Sequence, residues 1–349
     1  MSEASFDLSC PLPLRHATVQ MAHGGGGRAM RELLEALMLP AFANPALEAR
    51  HDAAVLSLAG GRVAFTTDTF VVHPRSFPGG DLGSLAVYGT VNDLACGGAV
   101  PRFLSCALVL EEGLPLDELG GLLASMRAAA DRCGVAIVTG DTKVVDRGHG
   151  HGVFINTAGL GDVPPGRDVS PARVRPGDAV VVSGDLGRHG VAVMSVREGL
   201  AFESPVASDC GPVHRLAAAL HDGGVDVHCL RDPTRGGLAS VLNEIARDAG
   251  VGMEVRERDL PVDPGVAAAC EILGLDPCYV ACEGRLVAFV PAGEAERAVA
   301  LLRALPEGRG AACLGSVLEG PAGRVTLRTR LGTARLLDLM AGDPLPRIC

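Results

Sequence analysis

The sequence ends in Pro346, Arg347, Ile348 and Cys349. A thiol is a nucleophile once ionised, and chain ends are usually mobile. A thiol on such an end can be loaded at one site and processed at another. The segment 331–345 before it holds Gly332, Gly342 and Pro344 and reads as a hinged tail. On the tail alone two readings stand: a carrier thiol, or a frayed end that happens to finish in cysteine. A second set of candidates is acidic. Asp52, Asp68, Asp93 and Asp141 fall at the ends of predicted elements or beside glycine, where a backbone comes close to a ligand. Each alone reads as a cap or turn residue. Together, from separated segments, they read as oxygen ligands converging on a hard cation. Carboxylates suit magnesium, which they hold together with nucleotide phosphates.

Four glycines, Gly24, Gly25, Gly26 and Gly27, precede a helical stretch at 28–39. Gly24-x-Gly26-x-x-Ala29 formally satisfies the dinucleotide fingerprint, but a run of glycines does so easily. No clear second strand follows to offer an acid to a ribose. A glycine loop ahead of a helix cradles phosphate on its N–H groups; a flexible hinge is the other reading. Gly-x-x-x-x-Gly-Lys-Ser/Thr does not occur, which excludes a P-loop.

These residues need elements to hold them. At 349 residues, 48% of them hydrophobic, two domains are the natural expectation. Only 3% are aromatic, so the cores should be rich in Ala, Val and Leu. A net charge of −10 argues against nucleic acid as partner. Eleven scattered cysteines without C-x-x-C pairs fit a reducing cytoplasm better than a disulfide framework. Neither a signal peptide nor an 18-residue apolar run is present, so neither secretion nor membrane insertion is expected.

An arm at 1–43 carries the glycine loop. The first domain, 44–163, opens with strands at 53–58 and 62–67 joined by a turn at 59–61. Antiparallel pairing places Asp52 and Asp68 at one end of that hairpin. A helix follows at 81–96 with Asn92 and Asp93, then a strand at 103–110. The helix at 116–133 should present Leu116, Leu119, Leu123 and Met126 on one face. A strand at 135–139 ends in Gly140-Asp141-Thr142-Lys143, and a strand at 153–158 closes the domain. A proline-rich linker at 161–178 leads to the second domain, 174–330. Its strands are expected at 179–183, 286–290, 312–317 and 325–328, its helices at 188–199 and 293–304. Asp232 reads as a helix N-cap with Pro233 in the first turn. Leu238, Val241, Leu242 and Ile245 form that helix's buried face. Gly236 and Gly237 suit close approach, either of a ligand or of a packed neighbour. The tail is 331–349.

The motifs carry a family resemblance over about 20–349. They are Thr66-Thr67-Asp68, Phe77-Pro-Gly-Gly-Asp81, Gly89-Thr-Val-Asn-Asp-Leu94, Thr139-Gly-Asp-Thr-Lys-Val-Val145, Phe154-Ile-Asn-Thr157, Asp232-Pro-Thr-Arg-Gly-Gly-Leu238 and, above all, Pro346-Arg-Ile-Cys349. The chain resembles the HypE family of hydrogenase maturation proteins. That family belongs to the superfamily of aminoimidazole ribonucleotide synthetase, thiamine monophosphate kinase and selenophosphate synthetase. One departure stands out: Cys282-Glu283-Gly284 replaces the family's usual Asn-Glu-Gly and adds a thiol near the expected site.

The resemblance implies a two-domain α/β (α+β) fold of the aminoimidazole ribonucleotide synthetase type. Its N-terminal βαββαβ-type unit would dimerise through its sheet, and a flexible tail would end the chain. It implies a carbamoyl dehydratase that splits ATP, with Mg2+, to convert an S-carboxamide on Cys349 into an S-cyanide. HypF would donate the carbamoyl group, and the iron of a HypC–HypD complex would receive the cyanide. By motif, Asp52, Asp68, Asp93, Asp141 and Asp232 would hold metal and nucleotide. Gly24, Gly25, Gly26, Asn92, Thr142, Gly236 and Gly237 would help to bind the nucleotide. Lys143 and Glu283 would bracket the carboxamide, and Arg347 would orient the tail. The rival functions are a small-molecule kinase using the same aspartates without Cys349, a nicotinamide oxidoreductase built on the glycine loop, and a non-catalytic thiol carrier.

Overall fold

The computed structural model describes residues 18–25, 27–42, 44–199, 206–340 and Ile348. Gly26, Arg347 and Cys349 lie outside the described residues. A short arm comes first: α1 (Arg28–Leu33), α2 (Leu39–Ala41) and α3 (Pro45–Glu48). The hairpin of β1 (Ala54–Leu58) and β2 (Gly61–Phe70) follows, with Leu58 paired to Gly61. A two-residue turn leaves no room for a crossover helix, so the expected βαββαβ order is corrected to one beginning with two strands. A small ribbon, β3 (Ser76–Phe77) and β4 (Gly80–Asp81), leads into α4 (Leu82–Cys96). Asp81 and Ser84 cap α4 reciprocally. Then come β5 (Val100–Glu111), α5 (Leu116–Cys133), β6 (Ala136–Val145) and β7 (Val153–Val163). The sheet order is β1-β2-β7-β5-β6, with only β5 and β6 parallel.

Helices α4 and α5 cover one face of this sheet. α4 is apolar all round and buried on nearly every side, as a central helix must be. The α5 stripe differs from expectation. Leu122, Met126, Ala129, Ala130 and Cys133 face the core, whereas Leu116 is 81% exposed. The stripe begins later because it follows the i, i+4, i+7, i+8 spacing from Leu122. The other face of the sheet is open. Phe65, Leu160 and Phe103 form a row across three strands there, 46%, 39% and 48% exposed.

The second unit comprises β8 (Asp178–Val182), α6 (Arg188–Arg197), α7 (His214–Asp222), β9 (Cys229–Arg231), α8 (Gly237–Asp248), β10 (Gly252–Arg256) and α9 (Pro264–Leu273). It continues with β11 (Val287–Pro291), α10 (Ala295–Arg303), β12 (Ala312–Leu318), β13 (Val325–Arg328) and β14 (Ala334–Leu336). Seven strands order as β14-β13-β10-β12-β8-β11-β9. One core lies between this sheet and α8, another between it and α7 with α10. The C-terminal end of α4, at Ala95 and Cys96, packs into the latter and joins the units. Among the described residues no helix is long and apolar enough to cross a membrane.

Strand β6 corrects a further expectation. It does not stop at Thr139 but runs to Val145, so Asp141 and Lys143 are strand residues. Gly140 makes this possible, because a Cβ there would lie 2.0 Å from the Cys106 carbonyl oxygen on β5. Gly140→Ala is therefore expected to loosen the edge strand. Amide exchange at 136–145 should quicken while 153–163 stays protected; unchanged exchange at 136–145 would refute this role.

Candidate active site

Strand β2 continues past Thr67, so Asp68 lies within it rather than after it. Thr66, two residues earlier on the same face, turns towards α4, its hydroxyl shared between the Asp52 backbone carbonyl and Asp93 Oδ2, both at 2.9 Å. One hydroxyl thus ties the start of the hairpin to α4. The fourth aspartate arrives from the second unit. Asp232 follows β9 directly and is not the N-cap expected: Gly236 is, with φ 77°, and α8 starts at Gly237. Gly237 also has positive φ, and a Cβ on it would meet the Cys278 and Val280 carbonyls at 2.7 and 2.8 Å. Its close approach is to protein backbone.

Asp52, Asp68, Asp93 and Asp232 form one electrostatic cluster. Burial raises every one of their pKa values, and repulsion from other cluster acids adds to the rise at Asp52, Asp93 and Asp232. Asp232 is pushed up to about 6 by burial first, with Asp68 adding to it and Arg231 opposing. Glu283 joins them. It is 2% exposed, and its pKa rises well above the usual carboxylate range through burial and then through Asp232, Asp209 and Asp68. Burial and these neighbours thus favour the protonated form of Glu283.

Two cations oppose the cluster. The Arg231 guanidinium lies 2.8 Å from Asp52 Oδ1 and 2.9 Å from Glu244. Arg235 reaches Asp68 at 3.9 Å and donates to the Gly24 carbonyl at 3.1 Å, bringing the glycine loop beside the acids. Sequence reasoning overlooked both arginines, although Arg231 directly precedes Asp232 and Arg235 stands in its motif. It also overlooked Asp209, whose carboxylate accepts from the Glu283 and Gly284 N–H groups and whose position no motif marks. The segment carrying Asp209 is threaded between two glycines. A Cβ on Gly79 would lie 2.6 Å from the Ser208 carbonyl oxygen, and one on Gly284 1.9 Å from that of Asp209.

The other expected residues fall as follows. Asn92 is buried and satisfied, donating to the Gly211 and Glu283 carbonyls and accepting from Val213 N–H. Its amide is a cross-link between α4 and the second unit. The Cys282 thiol turns into the second core and accepts from the Gly187 N–H at 3.1 Å. Gly25 ends the turn Met21–Gly24. Asp141, Thr142 and Lys143 are not gathered with the other acids. Asp141 and Lys143 pair with each other at 2.7 Å, 65% and 70% exposed, and sit opposite Ala107 and Val109 on the open face. Two strands intervene between β6 and β2, a separation of about 14 Å.

The donor set fits a hard divalent cation. Asp52 Oδ2 and Glu283 Oε1 are buried with no hydrogen-bond partner among the described residues. Asp52, Asp232 and Cys96 bring ligand atoms within 4.8 Å of one another. Oxygen atoms dominate the surroundings, which suits magnesium; the soft sulfur of Cys96 does not.

Two family descriptions match the chain. They are AIR synthase related protein, N-terminal domain, over residues 50–163, and the corresponding C-terminal domain over 175–328. The chain is 51% identical to the carbamoyl dehydratase HypE of Azotobacter vinelandii over 338 residues, 97% of this chain and 99% of that one. A crystal structure of a HypE-HypF complex superimposes with a TM-score of 0.84 at 44% identity, covering 88% of this chain and 99% of the other. HypE in complex with ATP gives 0.80 at 47% identity, covering 95% and 100%.

A pH dependence follows from the raised carboxyl pKa values. An acid whose folded pKa exceeds its unfolded value of about 3.9 stabilises the fold while protonated, and that contribution is lost as pH rises through the folded value. For Asp232 the loss runs from about 3.9 up to about 6. Magnesium ions should therefore raise the calorimetric Tm more at pH 8 than at pH 5. Asp93→Asn should raise the metal-free Tm at pH 8 and abolish the magnesium shift. Equal magnesium shifts at the two pH values, or none at either, would contradict the assignment.

Proposed function

The chain belongs to the HypE family of hydrogenase maturation proteins, the carbamoyl dehydratases, and from that premise we propose how its residues act. It catalyses the ATP-dependent dehydration of a carbamoyl group carried on the sulfur of Cys349, from thiocarboxamide to thiocyanate. The product supplies the cyanide ligand for the iron of nickel–iron hydrogenase. One observation carries this reading for the site. Ile348, next to Cys349, is 3% exposed and packs in the core cluster that contains Val280 and Ala281, three and two residues before Glu283. This burial of Ile348 supports a tail that delivers Cys349 towards the buried acids.

An amide oxygen is a poor leaving group as hydroxide. Phosphorylation by ATP turns it into phosphate; the C–O bond breaks, both N–H protons are lost, and C≡N remains with ADP and phosphate. Asp52, Asp68, Asp93 and Asp232 would hold magnesium, which would neutralise the triphosphate and the transferring phosphoryl group. Arg235 and the Gly24 loop beside it offer donors for phosphate oxygens. Glu283 is the proton acceptor. Its buried Oε1, without a hydrogen-bond partner among the described residues, would take an amide proton once cationic charge offsets the burial and repulsion that favour its protonated form. Arg347 orients the tail.

HypF is the carbamoyl donor partner, and the HypC–HypD complex is the proposed acceptor. Lys143 polarises the carboxamide oxygen, with Asp141 and Thr142 beside it. Within one chain these residues stand on the open face. A homodimer through residues of roughly 53–67 and 103–110 is the arrangement that would place a second copy against that face. The Phe65, Leu160 and Phe103 row supports it.

Cys349→Ala should fold normally and take no carbamoyl label from HypF; label on another cysteine would exclude Cys349 as sole carrier. Glu283→Gln should slow dehydration of carbamoylated Cys349 by about a hundredfold or more while ATP still binds. Intact mass in a single turnover reads the loss of water, and a parental rate would remove Glu283 from the base role. Sedimentation at micromolar concentration should give a dimer, and Phe103→Asp a monomer. A parent that sediments as a monomer would reject this interface.

A further inference from the structure

We propose that His189 is a positioning residue that latches the Ile348 carbonyl and so holds Cys349 for dehydration; this rests on the function just proposed. His189 opens the first turn of α6 and is fully buried. Its Nε2 meets the Ile348 carbonyl oxygen, and its Nδ1 lies 2.9 Å from Ser208 Oγ. The edge of one ring meets the face of the other between His189 and Phe77, with centroids 5.1 Å apart at 89°.

These contacts settle the proton positions. A carbonyl only accepts, so Nε2 carries the hydrogen and donates to Ile348. Nδ1 must then accept, and it receives the Ser208 hydroxyl proton. Ser208 Oγ in turn accepts from the Cys210 N–H at 3.0 Å. The result is a directed chain, Cys210 N–H to Ser208 to His189 to Ile348, built from a neutral imidazole. Burial lowers the His189 pKa and keeps the ring neutral. The chain is also braced from the first unit, because Ser208 N–H donates to the Pro78 carbonyl at 2.7 Å.

The position of the latch matters. The carbonyl it holds belongs to the peptide bond leading to Cys349, so the next Cα is only about 3.8 Å from that of Ile348. The latch grips main chain, and it works whatever group the sulfur carries. It has no part in loading, which HypF performs from outside. The backbone of the same loop runs on through Asp209, which holds the Glu283 N–H. One segment thus braces both the latch and the proposed base.

The test uses full-length protein with His189→Ala, His189→Gln and Ser208→Ala. Loss of a buried hydrogen bond should shift the tail towards release by about tenfold. In His189→Ala, iodoacetamide alkylation of Cys349, read by peptide mass spectrometry, should quicken by that factor. Carbamoyl loading by HypF should be unchanged or faster, while single-turnover dehydration slows about tenfold. Damage to the fold would depress loading as well. Gln, whose Nε2 can donate in place of the ring, should recover most of the parental dehydration rate. If His189→Ala fails to fold, Ser208→Ala decides by the same alkylation assay. Parental alkylation and dehydration rates in His189→Ala, or parental alkylation in Ser208→Ala, would overturn the latch. A parent that never loses water would instead sink the dehydratase reading, leaving alkylation to judge the latch alone.

Discussion

Repulsion among buried carboxylates is the constraint on which the rest of this structure depends. Asp52, Asp68, Asp93, Asp232 and Glu283 come from five separate segments and share one poorly solvated region. Left alone, such groups push apart or keep their protons. The fold supplies only partial relief. Arg231 is committed to Asp52 and Glu244, and Arg235 stands off from Asp68. Asp93 receives a neutral hydroxyl, not a cation. The raised pKa values follow from burial first and from this incomplete pairing second.

Holding that cluster together demands a rigid frame, and the frame is built from close backbone approaches. The Ser208–Asp209 backbone passes Gly79 on one side and Gly284 on the other, each too near for a side chain. Asn92 spends its whole amide on three backbone groups across the same junction. Gly79 and Asn92 of the sequence motifs therefore serve the packing of one unit against the other.

Much of the fold was legible because hydrophobic period carries it. The first hairpin, α4, α5 and the edges of β12 and β13 fall close to where alternation and capping put them. The buried face of α8 at Leu238, Val241, Leu242 and Ile245 was equally readable. What failed was local. Asp232-Pro233 looked like a helix start, but two glycines with positive φ delay α8 to Gly237. Gly140 looked like the end of a strand, but it is where two strands come closest. Strand β10 and helices α7 and α9 were not anticipated; β10 and α9 lie between the Asp232 motif and β11, where no chemistry-bearing residue drew attention. The site was legible at residues with charge and a motif. Asp209 and His189 were invisible, since each acts through main-chain contacts to residues far away in sequence.

Strand β2 shows how one sheet divides the chemistry. Its side chains alternate, so Thr66 faces α4 and the acids while Phe65 and Thr67 face the open side. The register carries that division across the sheet. Thr69 pairs with Asn156, Asn156 with Ala107, and Ala107 with Asp141, so Asp141 and Lys143 belong with the open face by construction. No rotamer change brings Lys143 to Asp93, because the sheet itself lies between them. A reaction that needs both the acids and this lysine must therefore be assembled around the edge of the sheet or from outside the chain. The exposed apolar row on the same face makes the second route the physically cheaper one, since covering it also removes apolar surface from water.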